Sequence, residues 1–249
     1  MHLGHLEQLR GAEIQLVRPW FHSGMRVLEL GGGNGYQASV MASWGCQVES
    51  VDVSEVSPGQ AMYFAVQQYN GKQLPFPDHA FDLVFSSNVL EHVPHLSDML
   101  QEILRVTRTG GLGVHILPSA SWRFWTSLTF YMHLVRRSVS FLAPTARPAS
   151  RQDGSPVSPK RGWVALAKRA LLDGPHGEFP SPFHELYTFS RHWWVPRFRK
   201  GGFEVSQRYG SKIFYTGYAI CPGATIEWRR HIARWLGSST IVYILRKKA

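Results

Sequence analysis

The 249-residue chain is 44% hydrophobic and 18% charged, a balance that excludes a disordered chain and accommodates one large α/β domain with an elaboration, or two small domains. Cys46 and Cys221 alone cannot form a disulfide framework, the N-terminus lacks the basic and apolar regions of a signal peptide, and no uncharged apolar run approaches the ~20 residues of a membrane span; a reducing, cytoplasmic setting is expected. The net charge of +10 is unevenly divided, because residues 1–119 carry 6 Lys/Arg against 11 Asp/Glu and residues 120–249 carry 21 against 6, so a nucleic-acid, anionic-lipid or phosphorylated partner would meet the second half.

Residues 3–21 predict an amphipathic helix, with Leu6, Leu9, Ile14, Leu16, Val17, Trp20 and Phe21 apolar, an interruption at Gly11 and an end near Pro19. Val27-Leu28-Glu29-Leu30 then predicts a buried strand running into Gly31-Gly32-Gly33-Asn34-Gly35, with a helix starting at Tyr36. Glycines at alternate positions leave backbone bare at the strand-to-helix turn, where open α/β sheets bind ligands. The dinucleotide fingerprint Gly-x-Gly-x-x-Gly fails at Tyr36, which disfavours a nicotinamide cofactor. A second strand, Gln47 to Val51, ends in Asp52, about 20 residues beyond the glycines, where such folds place a ribose-hydroxyl acceptor. A carboxylate can accept from both vicinal hydroxyls, although Asp52 taken alone also reads as a cap paired with Ser54.

Acid-x-Gly-x-Gly-x-Gly, over Glu29 to Gly35, resembles the first motif of class I S-adenosylmethionine-dependent methyltransferases. Leu74-Pro75-Phe76, Phe81-Asp82-Leu83-Val84 and Val89-Leu90-Glu91-His92-Val93 are similar to the small-molecule branch of that family, which includes the quinone C-methyltransferases. The resemblance covers residues 26–118 and implies a doubly wound, seven-stranded Rossmann-like α/β sheet with S-adenosyl-L-methionine as cofactor. It implies cofactor contacts from Glu29, Gly31, Gly33, Asp52, Val53, Asn70, Gly71 and Ser87. Branch members usually hold the adenine amino group with an acidic residue four before the Leu-Pro-Phe leucine; here the position is Asn70, whose amide oxygen can still accept, while Gly71 offers its N–H to a ring nitrogen. In the family the leading helix packs across the mouth of the cofactor site; an ordinary core helix is the alternative.

Pro58-Gly59 predicts a loop after Asp52 with at most a short helix from Gln60 to Phe64, followed by a third strand over Ala65–Tyr69. Phe81–Ser86 predicts the fourth strand, His95–Arg108 a helix with Ser97 as N-cap and Gly110-Gly111 as its stop, and Val114–Leu117 the fifth strand. Trp122–Leu142 places Trp125, Leu128, Met132, Val135, Val139 and Leu142 at helical spacing among Arg123, Arg136 and Arg137; this suits a cap whose apolar face covers the active site, or a helix lying in a membrane interface. Residues 143–162 read as a mobile loop, Phe189–Trp194 as the start of a helix that Pro196 should kink or shorten, and Gly202–Val205 and Thr240–Leu245 as the sixth and seventh strands. The implied division is a cofactor-binding core over 1–118, a basic aromatic cap inserted after the fifth strand over 119–188, and completion of the core over 189–249.

Methyl transfer from a sulfonium is an in-line displacement in which alignment supplies roughly 7–11 kcal/mol, and a hydroxyl acceptor adds the need for a general base. His92, just past the fourth strand, and His176, in Gly174-Pro175-His176-Gly177-Glu178 near His184 and Glu185, are the candidate catalytic residues. His176, Glu178 and His184 match no standard zinc spacing, so no metal is expected. The expected function is methylation, at oxygen, of a small-molecule or lipid-linked acceptor, by an enzyme touching the inner face of a membrane peripherally. Nucleic-acid methylation suits the basic half, but the Asn/Asp-Pro-Pro-aromatic signature is missing where Ser86-Ser87-Asn88-Val89 stands. A catalytically inactive cofactor-binding assembly partner is the third reading, opposed by the intact glycines, Glu29 and Asp52.

Overall fold

In the computed structural model the described residues are 3–54, 61–142, 176, 182–217 and 223–248. The short apolar runs become β1 (Arg26–Leu30), β2 (Gln47–Asp52), β3 (Gln67–Gln68), β4 (Phe81–Ser87), β5 (Thr107–Pro118), β6 (Phe203–Gly210) and β7 (Thr240–Lys247). They form one sheet in the order β3-β2-β1-β4-β5-β7-β6. The first five are parallel, while β7 runs antiparallel to both β5 and β6. Parallel pairing sends the carboxyl ends of β1 to β5 to one edge, so the turns after these strands share one rim.

The helices are α1 (Leu3–Val17), α2 (Tyr36–Ser43), α3 (Leu96–Val106), α4 (Ala120–Leu142), α5 (Pro182–Thr188), α6 (Arg191–Lys200) and α7 (Ile226–Leu236). Central strands are apolar on both faces because both are covered. Val27, Leu83, Phe85, Val114, Ile116, Val242 and Ile244 pack with Ile14, Val17 and Met41 of α1 and α2. Leu28, Leu30, Val84, Leu117, Tyr243 and Leu245 pack with Met99, Leu100 and Ile103 of α3 and Trp194 and Phe198 of α6.

Several expected boundaries move, each for a tertiary reason. The leading helix is not interrupted at Gly11; a Cβ there would lie 2.8 Å from the Tyr36 hydroxyl, so the glycine admits close packing of α1 on α2. Helix α1 is a core helix, placing Ile14 and Val17 against the sheet, and its Glu7 accepts the Tyr63 hydroxyl at 3.1 Å. No helix forms over 61–64: the Tyr63 N–H donates to Asn34 O (2.9 Å), and the backbone of Phe64 runs against Gly35. The rest of that expected segment, from Glu55 to Gln60, lies outside the described residues. The third strand shrinks to two exposed residues at the sheet edge.

Helix α3 starts after His95, so Ser97 sits within its first turn and caps nothing. It ends at Val106 because Thr107 already pairs with Phe81, and Gly110 and Gly111 fall inside β5 beside a register shift. Pro196 does not break α6, which runs on to Lys200, and Arg197 Nη1 donates to Trp193 O at 3.0 Å within the helix. Helices α5 and α7 are not among the expected elements, although α7 is amphipathic and capped by the Thr225 side chain, which accepts from Trp228 N–H.

The largest correction concerns α4. Its buried face is Trp122, Arg123, Thr126, Thr129 and Phe130, whereas Leu128 and Met132 of the expected apolar stripe are exposed, beside Phe124 and Tyr131. The polar residues can turn inward because partners from elsewhere meet them: Gly217 N–H donates to Thr126 Oγ1 (3.0 Å), and Arg123 pairs with Glu185 of α5 (3.0 Å). Side chains of α4 beyond Met132, including Val135, Arg136, Arg137, Val139 and Leu142, and all of residues 143–162 lie outside the described set. Among the described residues no helix is long and apolar enough to cross a membrane.

Candidate functional site

The turn after β1 is built on three glycines in the left-handed region, with φ of +72° at Gly31, +53° at Gly33 and +77° at Gly35. Two of them also admit neighbouring chain: a Cβ on Gly31 would collide with Val89, from the turn after β4, and one on Gly35 would lie 2.6 Å from Phe64 O. Gly33 has open space at its tip, with nothing within 4 Å of where a Cβ would be. Beneath the turn Glu29 is buried, accepts the Ser50 hydroxyl at 2.6 Å, and has its pKa pushed up to about 7 by burial.

Asp52, at the end of β2, accepts Gly33 N–H on one oxygen and Ser54 N–H on the other, each at 2.9 Å. It thus ties the glycine turn to its own loop while each oxygen keeps a further lone pair. Glu29, Gly31, Gly33 and Asp52 therefore share one corner. Val53, 53% exposed, and Gly71 lie against each other, since a Cβ on Gly71 would be 3.1 Å from Val53 Cγ1.

Asn70 departs from its expected part. Its Oδ1 accepts from Lys72 N (2.9 Å) and Gln73 N (3.0 Å), so both lone pairs close the loop and none is left for an adenine amino group. The Gly71 N–H has no acceptor among the described residues, and it opens on a cleft of about 560 Å³ that Asn70, Pro94, His95 and Met99 also line. Ser87 ends β4 and accepts from Asn88 Nδ2 at 3.2 Å.

The two candidate bases come together despite their separation in sequence. Their ring centroids are 4.9 Å apart, and Trp122 of α4 packs edge-on to His176 at 4.7 Å. His92 lies on a 3-10 turn, Leu90–His92, whose first N–H bonds place it directly after Val89, the residue that touches Gly31. His176 N–H donates to Glu185 Oε1 at 2.6 Å. Burial, with the charges of His92, Arg123 and Arg10 nearby, lowers the His176 pKa to about 4, so the ring is neutral at neutral pH. Glu178 lies outside the described residues, and His184 does not join the cluster.

Three groups here have surroundings that the sequence did not foretell, and one of them, Glu13, was not singled out at all. Glu91, next to His92, is 1% exposed and neither of its oxygens has a hydrogen-bond partner among the described residues; burial pushes its pKa up to about 8. Arg123 and Glu185 form a buried pair. Glu13 of α1 accepts from Arg10 (2.7 Å), Tyr215 (3.0 Å) and Thr240 (2.6 Å). The Glu-His pair is visible in sequence, but its desolvation is not.

Comparison with known proteins agrees with this geometry. A family model described as a methyltransferase domain matches residues 3–207. An uncharacterized methyltransferase of Mycobacterium avium (strain 104) is 30% identical over 191 residues, covering 70% of each chain. Another from Mycobacterium sp. (strain KMS) is 36% identical over 184 residues, covering 69% of each. Among solved structures, an S-adenosylmethionine-dependent methyltransferase from Mesorhizobium loti shares the fold with a TM-score of 0.54 at 19% identity, over 95% of this chain and 98% of that one. The 1,6-didemethyltoxoflavin-N1-methyltransferase of Burkholderia thailandensis, solved with its substrate and S-adenosylhomocysteine, has a TM-score of 0.53 at 13% identity, over 97% and 79%.

Proposed function

We propose, from the premise that this chain belongs to the methyltransferase domain family and is an S-adenosylmethionine-dependent methyltransferase, that it methylates a hydroxyl oxygen of a small or lipid-linked acceptor. The observation that carries the acceptor reading is the meeting of His92 and His176, 4.9 Å apart, beside the turn that touches Gly31. When bound, S-adenosylmethionine supplies an electrophilic methyl group on a sulfonium.

The residues present fit that cofactor. The open backbone at Gly33 gives an extended chain room to lie against the turn, Asp52 has lone pairs to spare for ribose hydroxyls, and the Gly71 N–H awaits an acceptor beside the apolar Val53 side chain. Adenine recognition falls to Gly71 and Val53, with Asn70 shaping the loop that presents them. On the acceptor side, a neutral imidazole can take a hydroxyl proton, and Trp122 packs edge-on against His176 to form an apolar wall beside it.

A lipid-linked acceptor is favoured by the outer face of α4, where Phe124, Leu128, Tyr131 and Met132 are 41–61% exposed in the basic half of the chain. Exposed aromatic and aliphatic groups enter a membrane interface while cations meet headgroup phosphates, each worth on the order of 1 kcal/mol near an anionic surface. Sedimentation with anionic and with neutral vesicles, beside gel shifts with RNA and DNA at physiological salt, tests this. Stronger pelleting with anionic vesicles is the expected result. Tight nucleic-acid binding without vesicle binding would transfer the acceptor to nucleic acid, and binding to neither would make the acceptor a soluble small molecule.

A further inference from the structure

We propose that Glu91, His92 and His176 together hold a divalent cation, an assignment that rests on reading their corner as the acceptor site. Their donor atoms, one carboxylate oxygen and one nitrogen from each ring, all lie within 4.8 Å of one another. Around one tetrahedral zinc, with bonds of about 2.0–2.2 Å, such atoms stand about 3.3 Å apart, so the cluster has to close by only about 1.5 Å. Both rings reach solvent while Glu91 is buried, so the closing movement falls to the two histidine side chains.

Glu91 provides the independent reason for a ligand here. It is 1% exposed, no other described residue donates a hydrogen bond to either oxygen, its own backbone N–H lies against it, and His92 Nε2 is 3.9 Å away. A buried carboxylate is ordinarily paired, donated to, or bound to a metal. The arginines whose fields reach this corner do not meet the need. Arg10 is bonded to Glu13 at 2.7 Å and Arg123 lies 3.0 Å from Glu185, so each already has its own anion and Glu91 adds one negative charge more.

A cation bound by this carboxylate and two imidazoles would neutralise that charge and occupy the orphaned oxygens. Two nitrogens with one oxygen suit Zn²⁺ or a neighbouring first-row divalent ion, not Mg²⁺ or Ca²⁺, which take oxygen ligands. Three protein ligands leave a position open, as in catalytic zinc sites, where an acceptor hydroxyl could coordinate through oxygen and release its proton to water. The histidines would then act as ligands, and the cation would take over the activation of the hydroxyl. A proton on Glu91 is the competing way to remove the charge.

The full-length chain, stripped with chelator and dialysed, should be titrated with ZnCl₂ alone and with CoCl₂ alone by calorimetry and, for cobalt, visible absorption. The expected result is about one equivalent bound per chain, with affinity weakened roughly 100-fold in each of Glu91→Gln, His92→Ala and His176→Ala. Glu91→Gln keeps the shape of the buried side chain, and metal-free circular dichroism of all three variants checks that they fold. No stoichiometric uptake by the wild-type chain, or uptake that all three variants retain, would overturn the site and leave the proton as the answer. S-adenosylhomocysteine titrated into the stripped wild-type chain separates the two readings: its failure to bind would count against the methyltransferase assignment, whereas its binding without zinc uptake counts only against the metal.

Discussion

Two neighbouring turns on the carboxyl rim of the sheet each bury a glutamate, and they treat it in opposite ways. Glu29, leading into the turn after β1, is 1% exposed and accepts the Ser50 hydroxyl from the adjacent strand; Glu91, in the turn after β4, is equally buried and accepts from no described residue. The desolvation cost is of the same kind in both places. In the first turn a serine already in register on β2 offsets it, so Glu29 serves as the floor of the glycine turn. In the second, among the described residues, two histidines offer ring nitrogens within 4.8 Å of the carboxylate and none donates to it, so either a proton, as its raised pKa allows, or the proposed cation removes the charge. A buried acid thus marks scaffold or ligand site according to whether its neighbours satisfy it.

The most damaging way to break the comparison is at the joint between the turns. Gly31→Ala should force a Cβ into Val89 at a φ of +72°, combining backbone strain with overpacking for a loss of roughly 2–5 kcal/mol. Urea unfolding measures it. Adding Val89→Ala should recover the steric part and leave the backbone part, and full recovery would show that the left-handed conformation matters little.

Glu29→Gln sharpens the contrast by removing a charge without changing shape. Burial raises the folded-state pKa from 4.5 to about 7, so the stability that neutral Glu29 contributes is whole below about pH 4.5 and is lost as pH rises through 7. The variant cannot ionise and should gain on the wild type across that window, by up to about 3 kcal/mol at pH 8, as read from denaturation midpoints at several pH values. Parallel pH profiles would mean that Glu29 is charged throughout and its serine bond suffices.

Asp52→Ala tests whether the first turn is a cofactor site as well as a scaffold. It strands the Gly33 and Ser54 N–H groups and removes the ribose acceptor, each unmet partner costing roughly 1–3 kcal/mol, so affinity for S-adenosylhomocysteine should fall tenfold or more by calorimetry. An unchanged affinity with a lower melting temperature would confine Asp52 to holding the loop.

Much of the first turn was legible in the chain itself. Gly31, Gly33 and Gly35 are required by local backbone geometry, Asp52 follows at the distance one βαβ unit imposes, and β4 announces itself as a continuous apolar run; these rules act over a few residues and need no knowledge of the rest. The alternating covered faces of β1, β4 and β5 follow from the same kind of pattern. Asn70 shows the limit: its residue type permits an adenine contact, yet Lys72 and Gln73 N–H groups reach it first.

What the sequence by itself determined, then, was the sheet, the glycine turn, Asp52 and the presence of two histidines with suitable chemistry. Only the tertiary structure decided which face of α4 turns inward, that Arg123 finds Glu185 across to α5, that β7 enters between β5 and β6, and that His176 returns to His92. Each of these depends on whether a polar group meets a partner from a distant part of the chain. Local patterning can count the groups that will need such partners, but burial and pairing are properties of the packed whole, which is why Glu91 reads in sequence as an ordinary loop acid and in the fold as a buried carboxyl to which no other described residue donates.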